Sequence, residues 1–443
     1  MNCRLRKVLA VAYTYPPIGG AGAIRLVKFA QYLPRFGWEM VVLAPKDAPS
    51  GARWEGEVPR GEVIHTKYMD IFGPLRKRAA HLAIPREHLG PVRRHSLRTF
   101  LAWSLNEFVA VPDSRVGWYP YALREGVRRV QKGDIAVIYS SSPPETTHLV
   151  AKAIHRRTGV PWVAELRDLW TQNPFYRRSF LRLWVERWLE RRVLKEADAI
   201  ISVTKECCER LRKDIRTSSV YLVRNGFDPD DFLSVRPKRF SKFTIVYTGT
   251  MYYPYQDPSP LLEALKSLVS NGIVPKENIE VIFIGTDISP LKELLKDSIV
   301  SEIVSSLPKV SYFESIAIQR GANVILLLLN KRISGLLKLY EAIGSGRPIL
   351  AISPDRSGEP VEILRSLGVE VVSEPREIEE MLLKLYKDYI RTGGSASDVR
   401  PESRALQFTR QEAARRLAKV LDRVSSATEV KREPMVGIRE GRC

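Results

Sequence analysis

Apolar residues along the chain fall into two alternating rhythms. Short, nearly continuous apolar runs at 7–13, 38–43, 135–140, 161–166, 197–203, 220–223, 243–247, 279–284, 324–329 and 349–352 have the pattern of strands covered on both faces. Between them lie stretches with apolar positions three and four residues apart, the mark of a helix with one buried stripe. Ile24, Val27, Phe29, Leu33 and Phe36 form such a stripe, and Gly37 stops that helix. A long helix over 177–196 is expected to turn Phe180, Leu181, Trp184, Trp188 and Leu189 inward and its arginines outward. A helix opening at Ser334 or Gly335 carries Leu336, Leu339, Tyr340 and Ile343 on one face and ends at Gly344 and Gly346, with Pro348 forbidding continuation. A last helix over 404–425 should bury Leu406, Phe408, Ala413, Leu417, Val420 and Leu421. Strand and helix in alternation predict an α/β fold with parallel sheets.

The alternation breaks once, at Arg224-Asn-Gly-Phe-Asp228 and the polar, basic stretch 234–242. This divides the chain into a first Rossmann-like domain at 1–232, a second at 233–403, a closing helix at 404–426 and a disordered tail at 427–443. At 443 residues there is chain enough for two cores.

Charge adds a partner question. The net charge is +20, and the excess is uneven: residues 1–232 hold 39 Lys+Arg against 24 Asp+Glu, residues 233–443 hold 31 against 26. A basic half suits phosphorylated substrates, anionic lipid or nucleic acid. Residues 70–118 concentrate it, with Arg76, Lys77, Arg78, Arg86, Arg93, Arg94 and Arg98 preceding an apolar helical piece with Phe100, Leu101, Trp103 and Phe108. That combination fits either an interfacial helix on anionic lipid or a solvated loop beside a core helix. No nucleic-acid module signature is present, so no nucleic-acid partner is expected. His81, His88 and His95 recur every seven residues without a suggested second shell, which reads as solvent-facing rather than metal-binding. Cys3, Cys207, Cys208 and Cys443 have neither metal-ligand nor disulfide spacing, which points to a reducing cytoplasm. The short apolar run after Arg4, Arg6 and Lys7 reads as a first strand rather than a signal peptide, and no run has the length of a membrane span. The expected location is cytoplasmic, with any membrane contact peripheral and on the inner face.

Candidate chemistry sits at strand ends. Thr14-Tyr-Pro-Pro-Ile-Gly19-Gly20-Ala-Gly22 joins a strand to a helix, and its glycines can let backbone amides approach an anion. It lacks the dinucleotide-binding glycine spacing and the following ribose acid, and a plain tight turn fits as well. Ser141-Ser-Pro-Pro-Glu-Thr-Thr-His148 ends another strand, where a neutral imidazole could bond a sugar hydroxyl or simply pack. Arg167 and Asp168 follow the next strand, and a simple pair with each other also fits them. Asp228, Asp230 and Asp231 superficially offer a metal-binding D-x-D, but in a turn with Pro229 they read as caps. In the helix after 324–329, free N-terminal amides and Lys338 can hold a phosphate, and Glu341, one turn on, can accept from a pair of sugar hydroxyls. The same spacing also fits an ordinary crossover with a surface Lys–Glu pair.

Gly-Leu-Leu-Lys338-Leu-Tyr-Glu341-Ala-Ile-Gly-Ser-Gly346-Arg-Pro348-Ile-Leu resembles the donor motif of glycosyltransferase family 4. Four further segments resemble that family in the right order: the Pro-Pro-Ile-Gly-Gly-Ala-Gly loop with Arg25, Ser-Ser-Pro-Pro through His148, Leu-Arg167-Asp168-Leu-Trp170, and Asn225-Gly-Phe-Asp228. The likeness spans roughly residues 5 to 425. It implies a GT-B fold: two Rossmann-like parallel-sheet domains facing a cleft, with a C-terminal helix returning to the first. It implies a metal-independent, hexosyltransferase-like enzyme of polysaccharide biosynthesis, needing no cofactor. Such an enzyme moves a sugar, with retention, from a nucleotide-diphosphate sugar to a hydroxyl of a glycan or lipid-linked acceptor. Residue by residue it implies catalytic roles for Lys338 and His148. Donor contacts fall to Gly19, Gly20, Gly22, Gly249, Thr250, Gly335, Leu336, Leu337, Lys338 and Glu341, and acceptor-side roles to Arg25, Arg167 and Asp168. Two positions depart from the pattern: Ile333 stands where many members have a first glutamate, and Gly249 to Asp257 contains no base where many have an Arg and a Lys. Lys331, Arg332 or Lys338 can replace that charge. The departures keep two alternatives open, a sugar-nucleotide epimerase on the same fold and a non-catalytic basic protein on membrane or nucleic acid.

Overall fold

The computed structural model describes residues 5–46, 53–71, 110–173, 178–330, 337–393 and 403–432. The basic stretch at 72–109 with its three heptad-spaced histidines, Lys331 to Leu336 and the tail from 433 lie outside the described residues. The chain separates into two compact units, residues 1–223 with 414–443, and residues 224–413.

Unit 1 runs β1 (Arg6–Val11), α1 (Ala21–Tyr32), β2 (Trp38–Pro45), β3 (Val63–Thr66), α2 (Tyr119–Val130), β4 (Ile135–Ser142), α3 (Thr146–Thr158), β5 (Trp162–Leu166), α4 (Phe180–Leu194), β6 (Ala199–Ser202), α5 (Lys205–Ile215) and β7 (Val220–Leu222). Among the described residues these make a seven-stranded sheet in the order β3-β2-β1-β4-β5-β6-β7, parallel throughout. Leu9, Val11, Ile138, Trp162 and Trp118 are fully buried in its core.

Unit 2 continues with α6 (Pro229–Ser234), β8 (Phe243–Thr248), α7 (Ser259–Ser270), β9 (Ile279–Ile284), α8 (Ser298–Ile303), β10 (Val304–Leu307), α9 (Tyr312–Gly321), β11 (Val324–Leu328), α10 (Leu337–Ser345), β12 (Ile349–Ile352), α11 (Glu359–Ser366), β13 (Val371–Val372), α12 (Pro375–Arg391) and the start of α13 (Arg410–Arg432). Its parallel sheet has the order β10-β9-β8-β11-β12-β13. The unbroken apolar runs have a direct cause here. Ile245, Tyr247, Leu326 and Leu328 enter one core layer, while their neighbours Val246, Ile325 and Leu327 enter the layer on the opposite face. Each strand residue is buried whichever way it points.

The end of the chain is two elements rather than one helix. Phe227 donates its amide to the Phe408 carbonyl (3.1 Å) and accepts from the Arg410 amide (2.8 Å). This bridge takes Thr409 out of helical geometry, so a 3-10 turn over Ser403–Phe408 precedes α13. Leu406, expected inward, is exposed as a result. From Ala414 on, α13 belongs to unit 1. There Leu417, Leu421 and Val424 are buried, and Asp422 accepts from Trp38 Nε1 at 2.9 Å. The helix runs on to Arg432, past the end expected at 426.

α4 is turned opposite to its expected orientation. Phe180, Leu181, Trp184 and Trp188 are exposed, and Glu186, Glu190, Val193 and Leu194 are buried. Glu186 pairs with Arg178 at 2.6 Å and Arg182 at 2.7 Å, and Arg182 also donates to the Ala110 carbonyl at 3.0 Å. Thr171 donates to Glu190. Charges satisfied in this way can lie inside, and the aromatic stripe of the same helix then faces out.

Candidate active site

In open parallel sheets, ligands bind beyond the carboxyl ends of the strands where the strand order reverses. In unit 2 this point lies between β8 and β11, in unit 1 between β1 and β4.

In unit 2 the two strand ends are tied together. β8 ends at Tyr247 and Thr248, and Gly249 turns the chain with a left-handed φ of 85° that favours glycine. Buried Gln256 donates to the Leu328 carbonyl at the end of β11 (2.8 Å). It accepts from the Tyr247 hydroxyl (3.2 Å) and the Tyr252 amide (3.0 Å). Lys338, the second residue of α10, closes the constellation. Its Nζ donates to the Tyr247 hydroxyl at 2.6 Å and to the Thr250 carbonyl at 2.7 Å, and it lies 4.4 Å over the Tyr247 ring. An ideal Cβ on Gly249 would be 4.0 Å from Lys338 Cε. Burial pushes the Lys338 ammonium down to about 7, against the pull of Glu341. Burial raises the Glu341 carboxyl, against the opposing pull of Arg410 and Gln319. Leu337 is half-buried at the helix start, Gly249 and Thr250 are exposed, and Gly335 and Leu336 fall outside the described residues.

In unit 1 the loop after β1 is clamped from outside. Ile18 bridges to Arg53, and the Trp54 amide donates to the Pro17 carbonyl at 3.0 Å. Gly19 has no room for a side chain, since a Cβ there would lie 2.4 Å from the Arg53 carbonyl oxygen. Gly20, with φ 103°, caps α1 without a side-chain acceptor, and no acid stands in the first turn. Arg167 reaches this helix start. A Cβ on Gly22 would be 2.1 Å from Arg167 Nη1. The guanidinium donates to the Ser142 carbonyl (3.0 Å) and the Pro143 carbonyl (2.6 Å) after β4. Gly19, Gly20, Gly22 and Arg167 are therefore gathered at one switch point, and Asp168 is exposed beside them.

Arg25 and His148 are not at that surface. Arg25 is fully buried and ion-paired with Glu165 at 2.7 Å, with a further bond to the Val223 carbonyl at 2.8 Å. Glu165 also accepts from Ser141 at 2.7 Å. His148 is buried below the end of β4, with Nδ1 on Ser140 Oγ at 2.8 Å. That oxygen also accepts from Trp162 Nε1 at 2.8 Å. Burial pushes the imidazole down to about 3, so it is neutral at ordinary pH. Asp228 caps α6, accepting from the Asp230 amide at 3.1 Å.

Sequence reasoning misses Tyr247, Gln256 and Glu165. The first two look like ordinary strand and loop residues, and only the fold brings them to Lys338. Glu165 has a visible signal: a carboxylate inside the apolar run Trp162–Leu166 must have a cationic partner.

Residues 20–226 match the family model of the glycosyl transferase 4-like domain. No curated protein matches the chain in sequence. Solved structures with a similar fold include sucrose-phosphate synthase from Thermosynechococcus elongatus, at TM-score 0.60 and 13% identity over 95% of this chain and 100% of that one. They include HepE from Anabaena in complex with UDP and glucose, at TM-score 0.56 and 14% identity over 94% and 100%. A glycosyltransferase from Rickettsia africae aligns at TM-score 0.55 and 13% identity over 95% and 98%. At these identities the likeness concerns the fold. The two parallel sheets and their reversal points agree with these structures, and residues 20–226 match the glycosyl transferase 4-like domain: the chain has the GT-B glycosyltransferase fold.

Proposed function

We propose that the protein transfers a sugar from a nucleotide-diphosphate donor to a hydroxyl of a glycan or lipid-linked acceptor, without metal and with retention. The observation that carries this reading is the position of Lys338. A cation on the second residue of a helix, bonded across the switch point to the loop after β8, stands where that loop itself offers no base. In this reading Lys338 exchanges its bonds to Tyr247 and Thr250 for the donor diphosphate, and neutralises the charge that grows on the leaving group. The start of α10 and the Gly249–Thr250 turn complete the grip, and Glu341 accepts from the ribose hydroxyls. HepE, bound to UDP and glucose, is a precedent on the same fold for such a ligand.

In unit 1 the uncapped start of α1, with Gly19, Gly20, Gly22 and Arg167, contributes a second electropositive surface. Arg167 and Asp168 serve the acceptor. Arg25 and His148 act as positioning residues: Arg25 anchors Glu165, and the neutral His148 orders the end of β4 through Ser140.

The test is a transfer and hydrolysis assay with labelled UDP-, GDP-, ADP- and CMP-sugars. Turnover of one donor is expected, reduced about 100- to 1,000-fold in Lys338→Met, the usual effect of removing one transition-state charge donor. A folded protein that neither transfers nor hydrolyses any of them overturns the reading.

A further inference from the structure

The outward face of α4 has an unusual composition for a soluble helix. Phe180 is 86% exposed, Leu181 56%, Trp184 64% and Trp188 53%. Arg187, Arg191, Arg192 and Lys195 are exposed around them. At 100° per residue these eight side chains fall within about 140° of the helix circumference. No Asp or Glu lies in that arc, because Glu186 and Glu190 are on the buried side. Arg192 lies 5.1 Å over the Trp188 ring. The stripe is about 22 Å long.

We propose that this face of α4 is a docking surface for an anionic phospholipid bilayer. Two features choose lipid over other partners. The arc is purely cationic, so its complement is a surface of negative charge. Its apolar groups are large side chains on a convex helix, which suits insertion between headgroups, where Trp and Phe partition and Arg and Lys meet phosphates. A nucleic acid would use the aromatic faces but gains nothing from Leu181. A protein partner for this arc would need a matching acidic groove. No helix among the described residues is long and apolar enough to cross a membrane, so attachment through α4 is at the surface. The inference stands independently of the transferase reading, since it uses no residue of either switch point.

Flotation of the whole protein with vesicles tests it, comparing phosphatidylcholine alone with mixtures containing phosphatidylglycerol. Binding is expected to the anionic vesicles and to weaken with salt. The triple variant Arg187→Gln/Arg191→Gln/Arg192→Gln should lose about 100-fold in partitioning, near fivefold per cation. The double variant Trp184→Ser/Trp188→Ser should lose at least tenfold. All five side chains are exposed, so an unchanged melting temperature is expected to accompany both losses. Equal partitioning of the variants, or no binding to anionic vesicles, overturns the proposal. Tryptophan emission from 184 and 188 already shielded from acrylamide without vesicles overturns it in favour of a face covered by the chain itself. A dimer in analytical ultracentrifugation that Trp184→Ser dissociates overturns it in favour of a second copy.

Discussion

Lys338 carries the sharpest consequence at the scale of single residues. With its ammonium at about 7, folded protein holds fewer protons than unfolded chain between pH 7 and the ordinary lysine range. Stability should therefore rise with pH across that window, and Lys338→Met should flatten the rise. Nucleotide binding runs the other way, because an anion needs the charged form. Affinity for a nucleoside diphosphate should fall as pH passes upward through about 7 in the native protein, and stay low and flat in Lys338→Met. His148 gives a second pH signature. Its imidazole is held at about 3, so the unfolded state takes up an extra proton between there and its ordinary range. Stability should fall as pH drops from about 6.5 towards 3, and His148→Phe should lessen that fall in a urea titration at pH 4.5 against pH 7. Arg25→Met leaves Glu165 buried with its main cation gone, which should cost about 3–5 kcal/mol in the same measurement. A cost below 1 kcal/mol would mean the pair is not held in the interior as described.

Elements explain what can and cannot be read in advance. The strands are legible because both their faces are buried, and the stops at Gly37 and Gly346 are legible from chain geometry alone. The orientation of α4 is not. Its apolar period identifies one face but not which way that face points, and the decision lies with Glu186, whose cations Arg178 and Arg182 are supplied locally. The break before α13 is hidden for a similar reason: 403–425 has good helical periodicity, and the bridge that interrupts it comes from Phe227, far away in sequence. Lys338 and Glu341 can be singled out as a helical pair, yet Tyr247 and Gln256 reach them only through strand order, and Arg410 only through the Phe227 bridge. The bridge itself is testable. A Cβ on Gly226 would lie 2.6 Å from the Phe408 carbonyl oxygen, a backbone atom with little room to move. Gly226→Ala should lower stability by about 1–3 kcal/mol, and an unchanged urea midpoint would contradict the packing at Phe227.

At the scale of the molecule, the chain crosses between its units twice, at Val223–Arg224 and within α13. The crossing segments are tied to each other inside unit 2 by the Phe227–Thr409 bridge. The final helix is part of the stability of unit 1, since Asp422 is the acceptor for the buried Trp38 indole. Asp422→Ala should cost about 1–3 kcal/mol, the penalty for a buried donor left without a partner. Differential scanning calorimetry should show that loss in the transition belonging to unit 1. A loss confined to unit 2 would contradict the placement of α13.

Calorimetric titration of UDP, GDP and ADP into native protein and Lys338→Met at pH 6.5 tests the donor site most directly. The expected result is binding of at least one nucleotide to the native protein and a loss of at least tenfold in affinity in the variant, with both melting as folded proteins. Equal affinity in the two proteins would contradict the assignment of Lys338 to the diphosphate.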